Sequence, residues 1–252
     1  MHTAGQKPKK NNKFISTVAD VLFPPRCPIC DGLLEPEEKS ARIHRDCVGK
    51  LYPVRGSVCM HCGRPLECAN AEYCHDCVGK VSVSELTQGK ALFLYQGSIK
   101  ETMYRFKYSN RREYARFFAA YAKRQYGEWI KSKGIDVIIP VPMYEKKRRL
   151  RGYNQAESLA RALSLDFEIP VDTGLVQRVK DTMPQKALSD LERKKNLKNA
   201  FQSKESVVQY KEILLVDDIY TTGSTAMAVA EAIRKTNACR VYVLSVCIGK
   251  GM

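Results

Sequence analysis

Four apolar residues with no alternation, Ile213-Leu214-Leu215-Val216, lead into Asp217-Asp218-Ile219-Tyr220 and then into Thr221-Thr222-Gly223-Ser224-Thr225. An unbroken apolar run of this length reads as a strand buried on both faces, the habit of parallel sheets. The Ala-rich stretch from Ala226 to Lys235 reads as a helix, with Arg234 and Lys235 at the end where the dipole favours cations. Strand, turn and helix in that order commit this part of the chain to an α/β fold. In open α/β sheets ligands bind beyond the carboxyl ends of the strands, where helix N-termini offer free N–H groups to anions.

The residue types in this run fit one kind of ligand. Thr221, Thr222, Gly223, Ser224 and Thr225 can wrap a single phosphate with backbone N–H and hydroxyl donors, and Gly223 has no Cβ to hold the backbone away. Asp217 and Asp218 would repel a phosphate, so they are expected, just past the strand's end, to face hydroxyl donors or a cation. Two acceptors beside a phosphate cradle suit a ribose 5-phosphate.

A second constraint lies near the N-terminus. Cys27-x2-Cys30 is followed by His44-x2-Cys47, and Cys59-x2-Cys62 by Cys74-x2-Cys77. Eight such ligands suffice for two tetrahedral zinc ions, with one ion the smaller possibility. A segment of some fifty residues with few large apolar side chains cannot hold itself together by burial, so metal would supply its folding energy. Pairing in sequential halves is expected, crossed pairing being the alternative; for His44 the alternative to ligation is an exposed histidine that leaves the first half with three cysteines. Cys68, His61 and His75 are spare ligand candidates, and Gly63 suits the tight turn of a knuckle. Cys239 and Cys247 read as packing residues.

The chain of 252 residues divides into a basic tail with a short helix (1–26, the helix at Phe14–Phe23), the cysteine-rich module (27–80) and an α/β domain (81–252). Of the net charge of +15, the last part carries +12, from 30 basic against 18 acidic residues. That surplus suits phosphorylated ligands and nucleic acid. The longest apolar-rich stretches, Val137–Met143 and Phe117–Ala122, are too short to span a bilayer, and the N-terminus lacks the pattern of a secretion signal. A cytoplasmic location is expected.

Further elements follow from the apolar pattern. Strands are expected at Ala91–Tyr95, Asp136–Val141, Leu175–Val179 and Val241–Val246, and helices at Ser98–Lys107, Arg112–Tyr126 and Asn154–Leu163. Between Val141 and Asn154 lies a stretch read as a loop, bearing Lys146, Lys147, Arg148, Arg149 and Arg151 and ending at Gly152. In a parallel sheet it shares an edge with Asp217 and Asp218, where cations can neutralise a diphosphate.

The strand–DD–TTGST run resembles the phosphoribosyl pyrophosphate signature of the type I phosphoribosyltransferases. "FKYSNRREYA", "PVP…KRRLRGYNQAESLAR" and "MPQKALSDLERKKNLKNAF" narrow the resemblance to the ComF family of competence proteins. The resemblance implies a type I phosphoribosyltransferase-like parallel sheet with helices on both faces, preceded by a zinc-ribbon-like module. It implies that Thr221–Thr225 anchor the 5-phosphate and Asp217 and Asp218 hold the ribose hydroxyls. Lys147, Arg148, Arg149, Arg151 and Gly152 would contact the pyrophosphate, with Mg2+ bound alongside. It places a mobile flap at Lys180–Asn199, containing Gln185, Arg193 and Asn196. For partners it implies single-stranded DNA and a competence helicase, at the inner face of the membrane beside the uptake machinery. The alternative is an active phosphoribosyltransferase that passes ribose 5-phosphate to a nitrogen nucleophile.

Overall fold

The structure, a computed structural model, describes residues 24–79, 81, 84–181, 197, 199–204, 209–237 and 239–249. The expected helix at Phe14–Phe23 and flap residues Gln185, Arg193 and Asn196 lie outside them.

Four strands form one parallel sheet: β1 (Gln88–Leu94), β2 (Val137–Pro140), β5 (Glu212–Tyr220) and β6 (Arg240–Ile248), in the order β1-β6-β5-β2. The side chains of Ile213, Leu214, Leu215 and Val216 are all fully buried, as an unalternated apolar run requires. Helices α1 (Ser98–Tyr108), α2 (Tyr114–Ser132) and α4 (Gln155–Phe167) cover one face, through Ile99, Phe106, Phe118 and Leu159 against Ile138, Leu214 and Leu244. Helix α5 (Ser224–Arg234) covers the other, through Val229, Ala230 and Ile233 against Ile139, Leu215 and Val243. Helices on both faces of a parallel sheet are the expected architecture. A separate antiparallel pair, β3 (Val176–Arg178) with β4 (Phe201–Ser203), flanks α5.

Two expectations need correction. The basic stretch after β2 is not a loop: Glu145–Arg151 forms a short helix, α3, ended by Gly152 in the left-handed conformation with its N–H on the Arg148 carbonyl. Charged residues with good helix propensity suffice for two turns when a glycine stops them. Nor do Asp217 and Asp218 follow the strand. β5 runs through them to Tyr220, because β6 is long enough to keep pairing, Asp217 opposite Ser245 and Ile219 opposite Cys247.

The cysteine-rich module is woven into the domain. Between its halves, Tyr52–Val54 runs antiparallel along β1: the Val54 N–H donates to the Leu92 carbonyl at 2.9 Å and the Leu94 N–H to the Tyr52 carbonyl at 2.7 Å. The first half packs with the cluster under α1 and α2, the second with the cluster on the α5 face. The module therefore straddles the sheet at its β1 edge.

Candidate functional site

The carboxyl edge of the sheet gathers the elements named from sequence. Parallel pairing of Pro140 with Val216 sets the start of the α3 segment beside Asp217. Asp218 forms an ion pair with Lys107, at the end of α1, at 2.9 Å, both side chains being mostly buried. Burial opposes the Lys107 charge, but the carboxylates of Asp218 and Asp217 offset it and hold its pKa above the usual lysine value. Burial, reinforced by the Asp218 charge, pushes the Asp217 carboxyl up to about 7, while the Asp218 amide, Lys107 and Arg178 pull it down. Asp217 Oδ1 accepts from the Asp218 N–H at 2.8 Å, which fixes its side chain.

Directly beyond, Gly223 caps α5 with φ +79°, and a Cβ there would collide with the Tyr220 hydroxyl. Thr222 Oγ1 and Ser224 Oγ lie 2.8 Å apart, and the first-turn N–H groups of α5 have no side-chain cap at Gly223. The arrangement is a donor-rich cradle at a helix N-terminus, next to one ion-paired and one buried carboxylate.

Most cations of α3 already have partners. Lys147 pairs with Asp181 at 3.1 Å, Arg149 with Glu145 at 3.1 Å and Arg148 with Glu157 at 3.9 Å. The Arg151 guanidinium lies 4.9 Å over the Tyr108 ring and donates to its hydroxyl at 3.1 Å. Arg148, Arg178, Pro140 and Asn154 line a cleft of about 220 Å³ between β2, α3 and β3.

The motif around Gly152 has a job that its sequence does not announce. The Tyr153 hydroxyl donates to the Phe106 carbonyl, and Gln155 Nε2 to the carbonyls of Phe106 and Lys107 at 3.3 and 3.5 Å. Asn154 accepts from the Ala156 N–H at 3.1 Å as the N-cap of α4 and donates to the Val141 carbonyl at 3.0 Å. These residues clamp the end of α1 and so present Lys107 to Asp218. The sequence does not mark Lys107 as a site residue, since one lysine in a basic turn has no local pattern to single it out.

The eight metal-ligand candidates form two groups in sequential halves, Cys27, Cys30, His44 and Cys47, and Cys59, Cys62, Cys74 and Cys77, with ligand atoms within 4.8 Å of one another in each. Tetrahedral zinc with four thiolates needs sulfur–sulfur edges of about 3.8 Å, and Cys62 Sγ lies 3.6 Å from Cys74 Sγ. The His44 Nε2 donates to the Leu33 carbonyl at 2.8 Å, which leaves Nδ1, 3.1 Å from Cys30 Sγ, as the ligand atom. Both donor sets fit structural zinc. The centres differ in exposure: Cys30 is at the surface, whereas all four cysteines of the second group are buried. Of the spare candidates, His61 packs against Cys77 and Ser84, and His75 and Cys68 face solvent.

Comparison with known proteins agrees with this anatomy. Residues 18–78 match the double zinc ribbon domain family, and residues 121–250 the phosphoribosyl transferase domain family. Competence protein F of Haemophilus influenzae is 35% identical over 193 residues, covering 73% of this chain and 82% of its own. Competence protein ComFC of Bacillus subtilis is 29% identical over 198 residues, with 77% of each chain covered. The DNA utilization protein YhgH of Salmonella typhimurium is 32% identical over 203 residues, covering 77% of this chain and 85% of its own.

Proposed function

The chain belongs to the ComF family of competence proteins, with a phosphoribosyl transferase domain behind a double zinc ribbon, and from that premise we propose that it binds phosphoribosyl pyrophosphate with Mg2+. The observation that carries this reading is the unbroken course from a strand bearing Asp217 and Asp218 into the Gly223 cradle and the N-terminus of α5. The cradle takes the 5-phosphate. The carboxylates take the ribose 2- and 3-hydroxyls, with Lys107 holding Asp218 in place. Arg148, Arg149 and Arg151 exchange their present partners for diphosphate oxygens. Mg2+, held mainly by the ligand's own oxygens, supplies charge neutralisation for the diphosphate. If the site turns over, loss of diphosphate leaves positive charge on the ribose ring, which the two carboxylates favour.

Calorimetric titration of phosphoribosyl pyrophosphate with Mg2+ tests the pocket. Saturable binding by wild type and none by a folded Asp217→Ala/Asp218→Ala variant is the expected result; equal binding by the two would remove these carboxylates from the site.

A second observation favours single-stranded DNA as a further ligand. Tyr104 and Tyr108, one turn apart on α1, are 63% and 58% exposed, with ring centroids 5.0 Å apart. Arg151 flanks them and Leu150 beside it is 81% exposed. Exposed rings beside cations stack bases of any sequence while the charge follows the backbone. Tyr104→Ala/Tyr108→Ala should weaken binding of a fluorescent oligothymidylate about tenfold to a hundredfold, and wild-type affinity should fall steeply from low to physiological salt. Affinity indifferent to both changes would rule this surface out. A competence helicase as neighbour, and a station at the inner face of the membrane, complete the proposal on family resemblance. No helix among the described residues is long and apolar enough to cross a membrane.

A further inference from the structure

The geometry points to a role for the zinc centres beyond holding their own module together: each positions one of the two ligand segments, the cradle or α3, through an aspartate–arginine pair. This rests on the assignment above of those segments to the phosphate and the diphosphate.

The second centre reaches the phosphate cradle directly. Asp76 lies between the ligands Cys74 and Cys77, so the knuckle fixes where its carboxylate stands. That carboxylate pairs with Nη1 of Arg64, which follows the Cys59–Gly63 turn of the same centre and is only 6% exposed. The guanidinium then spans out of the module: Nη2 donates to the Thr221 carbonyl at 2.7 Å. Nη1 also lies 4.0 Å from Cys74 Sγ, so the same group touches the ligand set itself. A rigid planar fork is what such a bridge requires, because one end must hold a carboxylate while the other holds a carbonyl. The carbonyl belongs to the first residue of the cradle, whose backbone must be aimed before its N–H groups can converge on an anion.

The first centre reaches the α3 segment by a longer route. Asp31, next to the ligand Cys30, accepts from Arg111 Nε and Nη2, both at 2.7 Å, and from the Tyr114 hydroxyl at 2.6 Å. Those bonds hold the turn between α1 and α2. Its next residue, Arg112, donates from Nη2 to the Gly152 carbonyl at 2.9 Å and stacks 4.7 Å over Tyr153. The two pairs have no residue in common and end on different segments, one on the cradle and the other on the residue that stops α3. An arginine that served only to fill the module's interior would not, like Arg64, end on the Thr221 carbonyl, and the turn that Asp31 holds through Arg111 carries the arginine that ends on the Gly152 carbonyl.

The test is hydrogen exchange on the full-length, zinc-loaded chain, without ligand. The amides of Met227, bonded to the Gly223 carbonyl, and Gly249, bonded to that of Tyr220, report on the cradle; the Gly152 amide, bonded to the Arg148 carbonyl, reports on α3. Arg64→Gln should speed exchange at Met227 and Gly249 at least tenfold, with Gly152 unchanged and two zinc ions retained. Asp31→Asn should do the reverse. Arg64→Lys, which keeps the charge beside Asp76 but cannot span both partners, should loosen the cradle like Arg64→Gln. Unchanged cradle exchange in Arg64→Lys, or equal acceleration at all three amides in both Arg64→Gln and Asp31→Asn, would overturn the proposal. A wild type that does not bind phosphoribosyl pyrophosphate would refute the assignment of the pocket, and the exchange result would still decide the coupling.

Discussion

Cys62→Ala is expected to yield no cooperatively folded protein, whereas Cys30→Ala should give a folded chain with one zinc ion fewer. The difference lies in where the two centres sit. Cys59, Cys62, Cys74 and Cys77 are part of the apolar cluster that also contains Val137, Ile139, Ile213 and Leu215. The turn at Gly63 presses its backbone on β1 so closely that a Cβ there would lie 2.7 Å from the Gly89 carbonyl oxygen, and the Gly89 N–H donates to the His61 carbonyl at 2.5 Å. A structural zinc ion supplies about 10–16 kcal/mol in apparent terms, comparable with the whole stability of a domain, about 5–15 kcal/mol. Without the ion, the face that α5 covers loses the part of its packing that the module supplies and gains buried thiols without partners. The first centre has a surface ligand in Cys30 and is also held by Thr102 and Arg105 of α1, which donate to the Pro28 carbonyl at 2.6 and 3.1 Å. Zinc per chain by mass spectrometry, read with a thermal melt, separates the two outcomes. A cooperative melt for Cys62→Ala with one ion bound would show that burial alone holds the α5 face.

Asp217→Asn is expected to stabilise the protein at alkaline pH while weakening its grip on ribose hydroxyls. The sign follows from the pKa. The Asp217 carboxyl titrates near 7 in the fold, against 3.8 for a free side chain. Between those values the folded state holds a proton that the unfolded chain has released, so stability falls as pH rises through the window, and the full penalty is present above it. A shift of this size corresponds to a gain on the order of 2–4 kcal/mol for the neutral amide at pH 9, shrinking toward nothing near pH 4. Asparagine keeps Oδ1 as acceptor for the Asp218 N–H, so the geometry survives. Urea melts of both proteins at pH 5 and 9 check this; parallel stability curves would mean that Asp217 is ionised in the fold at little cost. Ligand affinity should run the other way, rising from pH 6 to 8, because hydroxyl donors need the ionised carboxylate. On the proposed function, the site keeps a destabilising group because binding requires it.

The four strands of the parallel sheet and α5 were legible because unalternated apolar runs such as Ile213–Val216 have one favourable fate, whereas β4, three residues with one buried side chain, carries no such run. The zinc spacing was equally direct, since Cys-x2-Cys pairs fix their own geometry. Helix α3 was missed because its single apolar residue, Leu150, faces solvent and leaves no periodic stripe. The continuation of β5 through Asp217 and Asp218 depends on the length of β6, which nothing in the aspartates' own neighbourhood specifies. Arg64 and Lys107 were invisible as site residues for a related reason: their partners, Thr221 and Asp218, lie more than a hundred positions away. Tertiary pairings of isolated charges leave no local trace, whereas apolar periodicity and metal spacing do.

The short run Tyr52–Val54 along β1 also bears on how the protein fails. A parallel sheet with an open flank offers a row of unpaired N–H and C=O groups to any other chain. Here that flank is sealed by a strip of backbone tethered at each end by a metal centre. Zinc starvation would therefore do more than silence the pocket. It would unseal the sheet's edge and turn a scarce ion into the guard against strand-to-strand aggregation, so that freshly made chains compete for metal before they meet one another.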